Sequence, residues 1–210
     1  MSTPVPAGLA PATAPAPEDE LPPYVGIAMG AVRLVRSEQD AAAALASLMA
    51  ADAIGFDTES KPTFAKGEVS TGPHLVQLAV DDVVWLFQTA TPAGNALAIP
   101  VLTPVLESEA ILKAGFGLGD DVRRLRAKFG IEAHNVLDLS TALRRRGERN
   151  PLGAKSAVAR FLGQRLQKSK RITTTNWSLP RLSEQQLKYA ADDAHAALRI
   201  YRHWRANPPA

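Results

Sequence analysis

Cysteine is absent from the 210 residues. A disulfide scaffold, a thiolate zinc site, an iron–sulfur cluster and a cysteine nucleophile are therefore excluded. No run of about 18 apolar residues occurs, which argues against a membrane-spanning helix. The first twenty residues hold no Lys or Arg and end on Glu18, Asp19 and Glu20, the wrong charge for a secretory signal. What is present is ordinary for a folded chain: 46% hydrophobic and 21% charged residues, enough to bury a core. The expectation is one soluble intracellular domain of about this length, with or without a tail.

The net charge of +3 conceals its distribution. Every charge before Tyr24 is negative, whereas Arg123 to Arg171 holds fourteen basic and three acidic residues, a net of +11 in 49 positions. Such a block suggests a polyanionic partner, the alternative being a solvated helical face. Seven of the sixteen prolines fall within residues 1–23, which read as a disordered Pro/Ala-rich tail. Residues 24–210 read as the folded domain.

Period-two alternation predicts strands over Ala31–Arg36, Ala53–Glu59, His74–Val80 and Val83–Gln88. The last two are separated only by Asp81 and Asp82, which forces an antiparallel hairpin. Ser37, with Asp40 three residues on, opens a helix to Ala50. A helix is expected over Ala98–Glu107, a strand over Ile111–Gly115, a helix over Leu118–Phe129 and a strand over Val136–Leu139. Beyond that the chain reads as mostly helical, ending in an amphipathic helix from Ser183 to Arg205 whose start has the spacing of a capping box, Ser183-x-x-Gln186. A meander followed by alternating helices and strands predicts an α/β fold, a mixed sheet covered by helices on both sides.

Three places carry carboxylates of interest. Asp57 and Glu59 close a strand and, two apart, share a face with the small residues Ala53 and Gly55. That leaves room for another element to approach, although such acids can also be simply solvated. Asp120 and Asp121 stand at the start of a helix, where acids suit the macrodipole. Gly115 and Gly117 precede them, but the third glycine of a dinucleotide fingerprint is replaced by Asp120, which would repel a pyrophosphate. No Gly-Lys-Ser/Thr occurs, so a nucleoside triphosphate loop is excluded. Tyr189 and Asp193, four apart, share a helix face beside an apolar stripe, whereas Asp192 is expected to be solvated. Hard divalent cations prefer carboxylate oxygen, and the four dispersed histidines are read as non-ligands.

The segments GFDTE (Gly55–Glu59), KAGFGLGDDVRRL (Lys113–Leu125) and NWS with LSEQQLKYAADDA (Asn176–Ser178, Leu182–Ala194) resemble the three motifs of the DEDD superfamily of 3′–5′ exonucleases. Tyr-x-x-x-Asp is the mark of its tyrosine branch. The likeness is nearest to the Werner-syndrome-type exonuclease domain, then to the ribonuclease D catalytic domain, and spans Ala31 to Trp204. It implies a ribonuclease-H-like sheet and two divalent cations, Mg²⁺ or Mn²⁺, held by Asp57, Glu59, Asp121 and Asp193. By the resemblance, Asp57 bridges both ions, Glu59 and Asp193 complete the nucleophile-activating site, Asp121 serves the second ion, and Tyr189 orients the attacking water. Asp121 is preferred to Asp120 because Val122–Leu125 supplies the x-x-x-Leu that follows the family's acid. Ser60 departs from relatives that carry tryptophan after the glutamate.

The implied activity is 3′–5′ hydrolysis of nucleic acid, DNA favoured over RNA, releasing nucleoside 5′-monophosphates in the cytoplasm or near the nucleoid or nucleus. Arg144, Arg145, Arg146, Lys168, Lys170 and Arg171 are the candidates to follow the phosphate backbone, with Arg149, Lys155 and Arg165 beside them. Trp177 is expected to pack on the last helix rather than stack on a base. Competing readings are a ribonuclease D-like enzyme processing RNA 3′ ends, a nucleic-acid-binding module without catalysis, and an adaptor acting through the proline-rich tail.

Overall fold

The computed structural model describes residues 20–63, 68, 70–167 and 170–208. Residues 1–19 of the expected tail lie outside the described residues. Pro22 and Pro23 run alongside the Arg165 segment, where the Arg165 amide donates to the Pro22 carbonyl at 2.8 Å and the Tyr24 amide to the Arg165 carbonyl at 2.9 Å.

Six strands form one mixed sheet: β1 (Val32–Leu34), β2 (Ala53–Glu59), β3 (Leu75–Ala79), β4 (Val84–Gln88), β5 (Leu112–Gly115) and β6 (Val136–Asp138), in the order β1-β4-β3-β2-β5-β6. The meander β2-β3-β4 is antiparallel, and β1, β5 and β6 join in parallel with their neighbours. Alternation along the strands separates two cores. Ile54, Phe56, Val76, Leu78 and Phe87 face α1 (Glu38–Met49), α2 (Pro92–Leu106) and α3 (Gly119–Phe129). Leu75, Ala79, Val84 and Leu86 face the opposite way, toward the last helix.

After β6 come only short helical pieces: α4 (Leu139–Ala142), α5 (Ala154–Ala157) continuing into a π turn over Val158–Leu162, and α6 (Lys170–Thr173). The expected helical run there is mostly irregular chain. Helix α7 (Glu184–Ala206) then crosses the sheet. Its capping box is formed as the Ser183 and Gln186 spacing predicts, and α1 opens with Ser37 accepting from the Asp40 amide at 3.1 Å. Helix α2 begins six residues before the expected Ala98. Thr91 caps it by accepting from the Gly94 amide, and Pro92 occupies the first turn, where no amide partner is lost.

Gly55 explains how α7 reaches the sheet. A Cβ there would fall 1.9 Å from the Ala194 carbonyl oxygen, so only glycine permits this approach. The small face below Asp57 and Glu59 thus receives a helix, and that helix carries Asp193.

Candidate active site

Strand β2 brings Asp57 and Glu59 to its C-terminal end on the α7 side, and α7 lowers Asp193 onto them. One carboxylate oxygen from each lies within 4.8 Å of the others, Asp193 buried and the two strand residues half-buried. Three acids at that separation repel one another unless a cation or shared proton intervenes. Gln77, opposite Asp57 in the β2–β3 register, is fully buried, and its amide has no hydrogen-bond partner among the described residues. Leaving such an amide unsatisfied costs about 1–3 kcal/mol. An all-oxygen donor set beside a spare amide fits a hydrated hard cation.

Asp121 stands apart from this trio. Its carboxylate accepts the Thr58 hydroxyl, and Thr58 lies between Asp57 and Glu59 but on the other face of β2. Burial raises the Asp121 pKa, with the Thr58 hydrogen bond and the Arg124 charge opposing that shift. Asp120 is exposed and paired with Arg123 at 2.9 Å, which separates the two neighbouring acids by environment. Arg124, one turn beyond Asp121, donates to the Ser60 hydroxyl at 3.0 Å. Ser60, which follows Glu59 at the end of β2, therefore anchors a guanidinium.

The Tyr189 ring is buried one turn before Asp193 and packs on Trp177, with ring centroids 6.2 Å apart. Trp177 is wholly buried against α7, and its indole nitrogen donates to the Thr173 carbonyl. Asp192 departs from expectation. It is mostly buried, accepts the Ile27 amide at 3.1 Å and pairs with Lys188 at 2.6 Å, because the segment around Gly26 closes over α7. Burial raises its pKa against the Lys188 contact.

The basic candidates are dispersed. Arg144, Arg145 and Arg146 are exposed after α4, and Arg160 is neutralised by Glu148 at 2.7 Å. Arg171 lines a groove of about 1080 Å³ together with Tyr189, Lys188 and Gln186. Lys168 lies outside the described residues, as does the Lys170 side chain. Thr58 and Gln77 carried no motif signal, being ordinary strand residues in sequence. Asp138 had one, the Asp-x-Ser spacing of a side-chain-capped turn.

A mixed six-stranded sheet with helices on both faces and carboxylates meeting at the end of its central strand defines the ribonuclease-H-like exonuclease class. Comparison with known proteins identifies the family within it. A 3′–5′ exonuclease family model matches residues 32–206. A 3′–5′ exonuclease of Arabidopsis thaliana is 31% identical over 154 residues, 71% of this chain and 51% of that protein. The mouse bifunctional 3′–5′ exonuclease/ATP-dependent helicase WRN is 31% identical over 153 residues, 72% of this chain and 11% of that protein. The Aedes aegypti Nibbler EXO domain superposes with a TM-score of 0.68 at 25% identity, covering 84% of this chain and 88% of that one. Trypanosoma brucei RNase D in complex with RNA U12 shares the fold, with a TM-score of 0.73 at 24% identity over 84% of this chain and 63% of that one. The chain belongs to the 3′–5′ exonuclease family of the DEDD superfamily. It spans about half the length of the plant relative and about a tenth of the mouse one. Among the described residues no helix is long and apolar enough to cross a membrane.

Proposed function

We propose that this chain hydrolyses phosphodiester bonds from the 3′ end of nucleic acid, DNA ahead of RNA, with Mg²⁺ or Mn²⁺ and release of nucleoside 5′-monophosphates. The carrying observation is the convergence of Asp57, Glu59 and Asp193 within 4.8 Å. Asp57, Glu59 and Asp193 would hold one cation, and Asp57 with Asp121 a second. When bound, two such ions activate a water and stabilise the leaving oxygen of an in-line displacement. Tyr189, its ring fixed by Trp177, orients the attacking water through its hydroxyl. The low exposure of Asp193 and Tyr189 keeps bulk water from competing for those positions. Arg171, in the groove that Tyr189 lines, and Arg144 to Arg146 on the outer loop would meet the phosphate backbone. The 31% identity to the helicase-linked exonuclease supports testing DNA first, and the fold shared with RNase D makes RNA the second substrate to test.

The test uses 5′-labelled single-stranded DNA, recessed duplex DNA and structured RNA, each with Mg²⁺ or Mn²⁺. The expected result is stepwise shortening from the 3′ end with monophosphates found by mass spectrometry, fastest on DNA. Salt-sensitive binding without cleavage would overturn the enzymatic reading in favour of a binding module. Asp57→Ala is expected to abolish turnover. Tyr189→Phe is expected to lower kcat by about 10²-fold, the scale of losing one positioned proton-handling group.

A further inference from the structure

Asp138 is an acid inside the basic block, and among the described residues its carboxylate forms no ion pair. It ends β6, opposite Gly115 at the end of β5, where the chain leaves the sheet and turns into α3. The turn passes through Gly117, whose φ of 69° lies in the left-handed region that glycine adopts without strain. Oδ1 of Asp138 accepts the Gly117 amide at 3.0 Å and the Ser140 amide at 2.9 Å, as well as the Ser140 hydroxyl. Oδ2 accepts the Leu118 amide at 3.2 Å. One carboxylate thus serves two turns at once, the start of α4 and the approach to α3.

Helix α3 has no cap of its own, because Leu118 at its N-cap position has no polar side chain. A residue from another strand supplies what a local Ser or Asp ordinarily would. The third residue of α3 is Asp121, whose carboxylate is tied to β2 by Thr58. The start of α3 is therefore moored at two points, to β6 through Asp138 and to β2 through Thr58. Within one helical turn the backbone is stiff, so displacing Gly117 and Leu118 displaces Asp121.

We infer that Asp138 is a positioning residue, setting the distance of Asp121 from the Asp57, Glu59 and Asp193 group through the β5–α3 turn. The inference rests on the proposed two-cation function. In this role Asp138 acts through the turn backbone and Asp121 rather than as a ligand. Its chemistry demands a carboxylate: asparagine of equal size has one acceptor oxygen and would turn an amino group toward an amide donor. Supporting partners one step removed from a metal ligand typically alter metal affinity or activity by about 10–100-fold.

The experiment is Mn²⁺ titration of the full chain by isothermal calorimetry without nucleic acid, paired with cleavage measured across Mn²⁺ concentration. Asp138→Asn is expected to weaken the lower-affinity Mn²⁺ site about 10-fold, leave the tighter site unchanged and recover cleavage at high Mn²⁺. Ser140→Ala, which removes only the hydroxyl bond, is expected to leave both affinities within twofold. Should Asp138→Asn not fold, Asp138→Ser, which can still cap α4 but cannot reach both turn amides, carries the same test. A wild-type chain that binds and cleaves, with a position-138 variant matching its Mn²⁺ affinities and differing only in melting temperature, overturns the positioning role alone. A wild-type chain that neither binds Mn²⁺ nor cleaves overturns the functional reading and this inference with it.

Discussion

At the scale of single residues, His74 shows how a buried side chain couples pH to stability at the end of β2. The Lys61 amide donates to Nδ1 of His74 at 3.0 Å, so Nε2 carries the proton and faces Thr71 Oγ1 at 3.1 Å. Burial, reinforced by the charges of Lys128, Lys61 and Arg124, lowers the His74 pKa to about 4. An unfolded histidine titrates near 6.5. Between those values the unfolded chain takes up a proton that the folded chain refuses, so stability is full above about 6.5 and falls with pH toward 4. The loss amounts to about 3 kcal/mol at the lower limit. Melting temperature measured from pH 7 to 4 is expected to fall, and His74→Gln to flatten that dependence. Lys113 shows another solution to burial. Its ammonium donates to the Ser108 and Ile111 carbonyls, and burial lowers its pKa to about 8.

At the scale of elements, the decisive contact is α7 on β2. The helix supplies Asp193 and Tyr189, the strand supplies Asp57 and Glu59, and Gly55 lets their backbones meet. Gly55→Ala would drive its methyl into the Ala194 carbonyl, a backbone atom with little room to yield. Overpacking of this kind costs about 1–3 kcal/mol, and the upper end is expected here. Cleavage should fall further than stability, because Asp193 rides on the displaced helix. Denaturant unfolding and kcat measured on the same preparation check both. The far end of α7 is held by Arg202, whose guanidinium bonds Asp52 at 2.7 Å and Asp81 at 3.2 and 3.3 Å. Because those acids are largely exposed, that clasp contributes about 1 kcal/mol or less.

At the scale of the whole molecule, charge is divided by place. Three acids gather where β2 meets α7, the acid of α3 is tied to β2 through Thr58, and Arg144 to Arg146 stand exposed beyond β6. If that loop follows the substrate backbone, replacing all three arginines with alanine removes up to three phosphate contacts. Each contact on a single strand contributes about 0.7 to the slope of log affinity against log salt, so the slope should fall by about 2. Binding isotherms at several salt concentrations measure it. An unchanged slope would place the loop outside the substrate path. Turnover at saturating substrate should hardly change, since these side chains lie outside the carboxylate group.

Local pattern was enough to read most elements and the faces on which Asp57, Glu59 and Asp193 lie. Alternation set the strand faces, so Asp57 and Glu59 had to share a side with Gly55. Helical spacing placed Tyr189 with Asp193, and the Ser37 and Ser183 caps formed where their spacing predicts. These features are written in residues two to four apart. What the amino-acid order left open depends on contacts between distant positions. Thr58 meets Asp121 across 63 residues, Asp138 reaches Gly117 across 21, and Ile27 covers Asp192 across 165. No periodicity records such pairs, so Asp192 read as solvated and Asp138 as one more charge in a basic stretch. The irregular chain between α4 and α7 has a local cause instead: Gly147, Pro151, Gly153 and Gly163 interrupt it, and Gly163 ends the π turn in the left-handed region with a φ of 61°. The sequence alone determined which carboxylates were available and which faces they occupied. Only the tertiary structure decided that three of them meet while the fourth is moored separately, because that depends on how closely a helix approaches a strand and which distant side chains hold its neighbours.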